Sequence, residues 1–211
     1  MGFHAASLMK IGVFGGTFDP VHAGHLGPAA AVAAAIPLDR VIFVPTNRSP
    51  WKGETPARAE HRVAMLALAI AGRPDFSLSL AEIERGGPSY TVETLRAIAR
   101  DRPSDELFFL LGTDALAGFE RWVEPLEILR LARLAAFVRE PHEPGPLLSS
   151  PFLSRHRSSV LIFDSVRVKI SSTAVRRAIA RGESIAGTTP PAVEEYIVKQ
   201  GLYRDSGTGR T

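Results

Sequence analysis

A chain of 211 residues without a single cysteine has no disulfide, thiolate zinc site, iron–sulfur cluster or cysteine nucleophile. Its apolar share of 45% and charged share of 22% fit a folded globular protein and are too apolar for a disordered one. The 25 Lys and Arg exceed the 22 Asp and Glu by a formal +3, but they are scattered and form no stripe for nucleic acid.

Short apolar runs alternate with longer amphipathic ones, the pattern of βαβ units. Residues 10–14 (KIGVF) predict a buried first strand that ends in Gly15-Gly16, and an Ala-rich helix follows over 24–35. Residues 40–44 (RVIFV) predict a second strand, stopped by Pro45. A helix is expected over 56–71, with Ala59, Val63, Leu66, Ala67 and Ile70 on its apolar face. The alternation of 76–83 predicts a strand, 91–100 a helix, and 106–111 (ELFFLL) a strand buried on both faces. A helix at 125–131 leads to a strand at 134–138. The four prolines of 139–151 predict a surface loop. Two short strands are expected at 160–163 and 166–168, then helices at 172–180 and 191–199. The fold class is α/β: a Rossmann-like, doubly wound, mostly parallel sheet with helices on both faces. One domain is expected over 9–203, with flexible termini at 1–8 and 204–211 and Met9 as an alternative start. Residues 1–10 are no signal peptide and no apolar run approaches ~18 residues, so the expected address is the cytoplasm.

In such a sheet, ligands bind beyond the carboxyl ends of the strands. The stretch directly after strand one reads Gly15-Gly16-Thr17-Phe18-Asp19-Pro20-Val21-His22-Ala23-Gly24-His25. Two glycines predict a sharp turn that a ligand can approach closely. His22 and His25 are three apart at a helix start, where free amides and the helix dipole favour anions. That combination suits a phosphate chain. The histidines lack a third ligand and the H-E-x-x-H pattern, so no metal site is expected. Neither G-x-G-x-x-G nor G-x-x-x-x-G-K-[ST] occurs. A second cluster, Ile170-Ser171-Ser172-Thr173-Ala174-Val175-Arg176, places three hydroxyls at another helix start with Arg176 one turn in. It reads either as a capped helix or as a phosphate cradle.

Together, GGTFDPVHAGH and ISSTAVR resemble the HxGH and ISSTxxR signatures of the nucleotidyltransferase superfamily. From about residue 10 to 203 the chain is similar to bacterial nicotinate-nucleotide adenylyltransferases. The stretches PSYTVETL at 88–95, FLLGTD at 109–114, Arg121-Trp122 and the terminal 190–203 segment carry that likeness. One stretch departs from it: the family commonly has Pro-Pro-His-Lys after the second strand, where this chain has Ser49-Pro50-Trp51-Lys52.

The resemblance implies adenylyl transfer from ATP to nicotinate mononucleotide, giving nicotinate adenine dinucleotide and pyrophosphate in NAD biosynthesis. Another acceptor of the same fold, nicotinamide mononucleotide or phosphopantetheine, and a non-catalytic nucleotide sensor are the alternatives. His22, His25 and Arg176 are the implied catalytic residues. Gly15, Gly16, Thr17, Phe18, Ser171, Ser172 and Thr173 join them around ATP. Lys52, Thr91, Gly112, Asp114 and Trp122 are implied at the acceptor, with Asp114 on ribose hydroxyls or as an N-cap. Trp122 is expected to stack on the pyridine or to pack in the core. Arg48 is a further cation near Lys52, and Asp19 either an outer-shell contact or a turn cap. His22, His25, Lys52 and Arg176 are the expected cations or donors. Mg²⁺ would ride on the ATP phosphates, since it keeps most of its waters. Monomer and homo-oligomer both stay open.

Overall fold

The computed structural model describes residues 8–49 and 55–204; the expectations for residues 1–7, Trp51, Lys52 and 205–211 lie outside them. Among the described residues six strands form one sheet: β1 (Lys10–Gly16), β2 (Arg40–Pro45), β3 (Phe76–Leu78), β4 (Glu106–Gly112), β5 (Arg133–Arg139) and β6 (Val160–Val168). Their spatial order is β3-β2-β1-β4-β5-β6, and every neighbouring pair is parallel. The winding reverses between β1 and β4, so a crevice opens where their carboxyl ends diverge.

Alternation along each strand feeds two cores. Phe108 and Leu110 of β4 face one side with Phe14, Phe43 and Phe137. Leu107, Phe109 and Leu111 face the other with Val13, Val44 and Leu134. Helices α1 (Ala23–Ala35) and α2 (Ala59–Ile70) lie on the first face. Short α3 (Ala81–Arg85) and α4 (Thr91–Asp101) follow β3. After β4 come α5 (Thr113–Leu116), a 3-10 turn at Phe119–Arg121, and α6 (Pro125–Leu131). Then α7 (Pro144–Leu148) and α8 (Pro151–Arg155) precede β6, and α9 (Ser172–Ala180) and α10 (Pro191–Gln200) follow it.

Four expectations need correction. The strand predicted over 76–83 stops at Leu78, and Ala81–Arg85 is helical. Alternation cannot separate the two over so few residues, and α3 turns Glu82 into the interior. The two short strands near the C-terminus are one, β6, paired with β5 across a register shift at Phe137/Val138. The proline-rich loop holds α7 and α8, each with Pro in its first turn, where no N–H is needed. The buried face of α2 is Arg62, Met65, Leu66 and Ile70, so the stripe expected through Val63 and Ala67 is rotated by about one residue. A pattern search places Arg outside. Here it belongs inside.

Candidate active site

Arg62 is 1% exposed. Its Nη1 donates to the carbonyls of Thr17 (2.9 Å) and Thr46 (2.8 Å), and Nη2 reaches that of Asn47 (3.4 Å). One guanidinium thus ties the loop after β1 to the end of β2. Burial lowers its pKa, and the charge of Asp19 opposes that.

The loop after β1 is held from three further directions. Tyr203, 184 residues away, donates from its hydroxyl to Asp19 Oδ1 at 2.5 Å. Burial first, then Asp19, pushes that phenol far above its ordinary range, so it stays a donor. Arg176 Nη1 donates to the Asp19 carbonyl (2.7 Å), and Ser172 Oγ to the Pro20 carbonyl (3.0 Å). Asp19 is therefore an anchor for the loop and not a turn cap, with Oδ2 buried and unpaired among the described residues. Gly15 and Gly16 end β1 instead of turning. The left-handed residue is Phe18 (φ 49°), and a Cβ on Gly16 would lie 3.0 Å from the Phe18 ring. Close approach, not turning, is what Gly16 permits.

His22 precedes α1 and His25 lies in its first turn, their rings 3.8 Å apart. The His22 backbone N–H donates to His25 Nδ1 at 3.2 Å, so the neutral His25 ring carries its proton on Nε2. The His25 ring also stands edge-on to Phe18 at 5.0 Å. His22 is fully buried behind it, both ring nitrogens without a hydrogen-bond partner among the described residues. Burial, with Arg139 adding repulsion, lowers its pKa to about 3. Of the two roles expected for His22, cation or donor, the cation is set aside: at neutral pH the ring is uncharged. Gly24 makes this arrangement fit, since a Cβ there would meet Val168 at 2.8 Å and the His22 ring at 3.0 Å.

Two cavities open at the crevice. The first, about 360 Å³, is lined by Gly15, Gly16, Thr17, Phe18, Asp19, His25, Gly112, Arg139, Ser171, Ser172, Thr173 and Arg176. Ser171 caps α9 by accepting from Ala174 N–H (3.2 Å), and Thr173 Oγ1 accepts from Arg176 Nη2 (3.3 Å). The capped-helix and cradle readings are thus compatible. The second cavity, about 420 Å³, is more apolar and holds Val44, Ser89, Tyr90, Thr91, Arg121 and Trp122. Gly15, Gly16, Thr17, Asp114 and Trp122 line both. Trp122 rests edge-on against Phe109, ring centroids 5.9 Å apart. Asp114 lies inside α5, whose N-cap is Gly112, so its N-cap reading is corrected. It pairs instead with Arg139 (Nε–Oδ2 3.7 Å), and Gly112 leaves room for its carboxylate. Arg48 is exposed and lines neither cavity.

Sequence reasoning missed Arg62, Arg139, Glu82 and Tyr203. Gly24 was in view inside His22-Ala23-Gly24-His25, and its spacing between two histidines was the available signal. Among the described residues no cluster of three His, Asp or Glu can cage a metal, and no helix is long and apolar enough to cross a membrane.

Residues 13–178 match the cytidylyltransferase-like family. A probable nicotinate-nucleotide adenylyltransferase of Roseiflexus sp. strain RS-1 is 43% identical over 203 residues, covering 94% of this chain and all of that one. Its counterpart in Thermus thermophilus is 43% identical over 93% of this chain and all of its own length. In structure, the nicotinic acid mononucleotide adenylyltransferase of Plasmodium falciparum complexed with NaAD superposes with a TM-score of 0.76 at 16% identity. That match covers 92% of this chain and 97% of the other, and supports the fold alone.

Proposed function

We propose that this chain, which belongs to the cytidylyltransferase-like family and within it to the nicotinate-nucleotide adenylyltransferases, transfers the adenylyl group of ATP to nicotinate mononucleotide in NAD biosynthesis. The observation that carries the reading is the pair of cavities with a common floor at Gly15–Thr17. One is the more polar, rimmed by hydroxyls and Arg176, and suits a triphosphate. The other is apolar around Trp122 and suits a planar ring.

A phosphate oxygen of the mononucleotide attacks the α-phosphorus of ATP. The new P–O bond forms as the bond to the β-phosphate breaks, and pyrophosphate leaves with the electron pair. The nucleophile's second pKa is near ~6, so it is largely ionised at neutral pH and needs no general base. The work left to the protein is alignment and charge stabilisation. His25 Nε2 and Arg176 offer hydrogens to the phosphates, and the Ser171–Thr173 helix start adds hydroxyls and amides. Neutral His22 supports the His25 ring. Mg²⁺ carried by the phosphates would neutralise charge there, and Asp19, which lines the same cavity, would serve as its outer-shell partner. A cytoplasmic site of action goes with ATP as donor.

The acid is the preferred acceptor. Tyr90, the N-cap of α4, gives no side-chain cap, and the Glu93 and Thr94 amides go to its carbonyl, so the donor we assign to the second cavity is the Thr91 amide at the helix start. Amides only donate, which suits a carboxylate, whereas a carboxamide presents an NH₂ to them. Pyrophosphate release from ATP with nicotinate mononucleotide, nicotinamide mononucleotide and phosphopantetheine tests this. Equal kcat/KM for the two mononucleotides refutes the acid preference. Turnover only with phosphopantetheine, or none at all, refutes the function.

A further inference from the structure

Glu82 is a carboxyl group in the wall of the acceptor cavity, 4% exposed, and no step above uses it. It reaches the interior because α3 starts at Ala81 and packs on β2. Oε1 accepts from the Thr94 hydroxyl of α4 at 2.6 Å. Oε2 is buried with no hydrogen-bond partner among the described residues. The Ser89 hydroxyl stands beside the carboxyl and also accepts from Asn47 N–H at 2.9 Å. Glu82 thus lies against both ends of the Ser89–Thr94 segment that forms one wall of the cavity.

A buried oxygen left without a partner is costly, and a charged one more so. Other charges nearby are few. Arg85 of α3 is taken up by Glu93 of α4 at 3.3 Å. Arg121 and Asp114 line the same cavity from the segment after β4, and β2 faces it with Val44. An ionised Glu82 would repel an acceptor that carries its own carboxylate.

We propose that Glu82 determines acceptor specificity: as the neutral acid it offers a hydrogen from Oε2 toward an acceptor carboxylate, and as the carboxylate it offers only lone pairs, which suit a carboxamide. The proposal rests on the function above. Burial favours the neutral form, with the Thr94 and Ser89 hydroxyls and Arg85 opposing it and Glu93 reinforcing it. The neutral form is the one present at lower pH, so preference for the acid over the amide is greatest there and falls as pH rises through the Glu82 titration.

The decisive quantity is the ratio of kcat/KM for nicotinate mononucleotide to that for nicotinamide mononucleotide, measured from pH 5 to 9. ATP, the attacking phosphate, Mg²⁺ and the histidines are common to both reactions, so their titrations cancel in the ratio. The wild-type ratio is expected to fall about tenfold or more across that range. In Glu82→Gln, which keeps an acceptor for Thr94 and a donor at every pH, the ratio is expected to be flat. Calorimetric binding of the two mononucleotides to the wild type should show the same pH trend without turnover. A flat wild-type ratio, or an equal slope in Glu82→Gln, overturns the proposal and leaves the function standing. Turnover and binding of neither mononucleotide overturns both.

Discussion

Gly24→Ala is the smallest change that should disturb both the packing and the chemistry. Gly24 is the second residue of α1, in ordinary helical conformation, where alanine would normally be favoured by up to about 1 kcal/mol. Here the new methyl meets Val168 Cγ1 at 2.8 Å on one side. On the other it meets the His22 ring at 3.0 Å. Val168 is buried at the end of β6, and His22 is 0% exposed, so neither can swing into solvent. Overpacking of this kind costs about 1–3 kcal/mol, leaving a net loss of up to about 2 kcal/mol after the helix gain. For a chain of this length Tm should drop by up to about 4–8 °C. A His22 ring pushed aside bears on that of His25, 3.8 Å away. Displacing a phosphate-facing donor by a fraction of an ångström should lower kcat about 10–100-fold, with a smaller change in KM for ATP. Differential scanning calorimetry and steady-state pyrophosphate release measure the two effects. A variant with wild-type Tm and kcat would refute the claim that Gly24 is required by close approach.

Three other outcomes are expected. His25→Ala should lower kcat about 10²–10³-fold with little change in KM for ATP, because the charge it meets grows in the transition state; near-normal turnover would remove it from the mechanism. Trp122→Ala should raise KM for both mononucleotides about 10–100-fold while leaving the acid-over-amide ratio largely intact, and a collapse of that ratio would make Trp122 a reader of the pyridine substituent. His22 titrates near 3 when folded but near 6.5 when unfolded, so the unfolded chain binds more protons between those values and stability falls as pH drops through that window. The slope from this residue is at most about 1.4 kcal/mol per pH unit, and urea midpoints at pH 7 and 4 should converge in His22→Gln; an unchanged difference would assign the acid sensitivity elsewhere.

The order of elements and the position of the binding crevice were legible in the chain because they depend on near neighbours. A buried parallel strand such as Leu107–Leu111 announces itself by a continuous apolar run. The Gly15–His25 loop and the Ser171–Arg176 helix start are contiguous in sequence, so their chemistry could be read before any folding was known. The rule that charged residues face water fails at Arg62, which donates to the carbonyls of Thr17, Thr46 and Asn47, and at Glu82, where the Thr94 hydroxyl serves one oxygen and the other has no hydrogen-bond partner among the described residues. The same holds for the protonation of His22, set by the bulk packed around it and by Arg139, and for Asp19, tied to Tyr203 across 184 residues. Local pattern determined most of the strands and helices and marked the Gly15–His25 loop as a candidate phosphate site, but it missed the short helices at Ala81–Arg85, Pro144–Leu148 and Pro151–Arg155. Tertiary structure alone decided which polar groups are buried, what they are bonded to and which of them carry charge, because those depend on desolvation and partners that no short stretch of sequence contains.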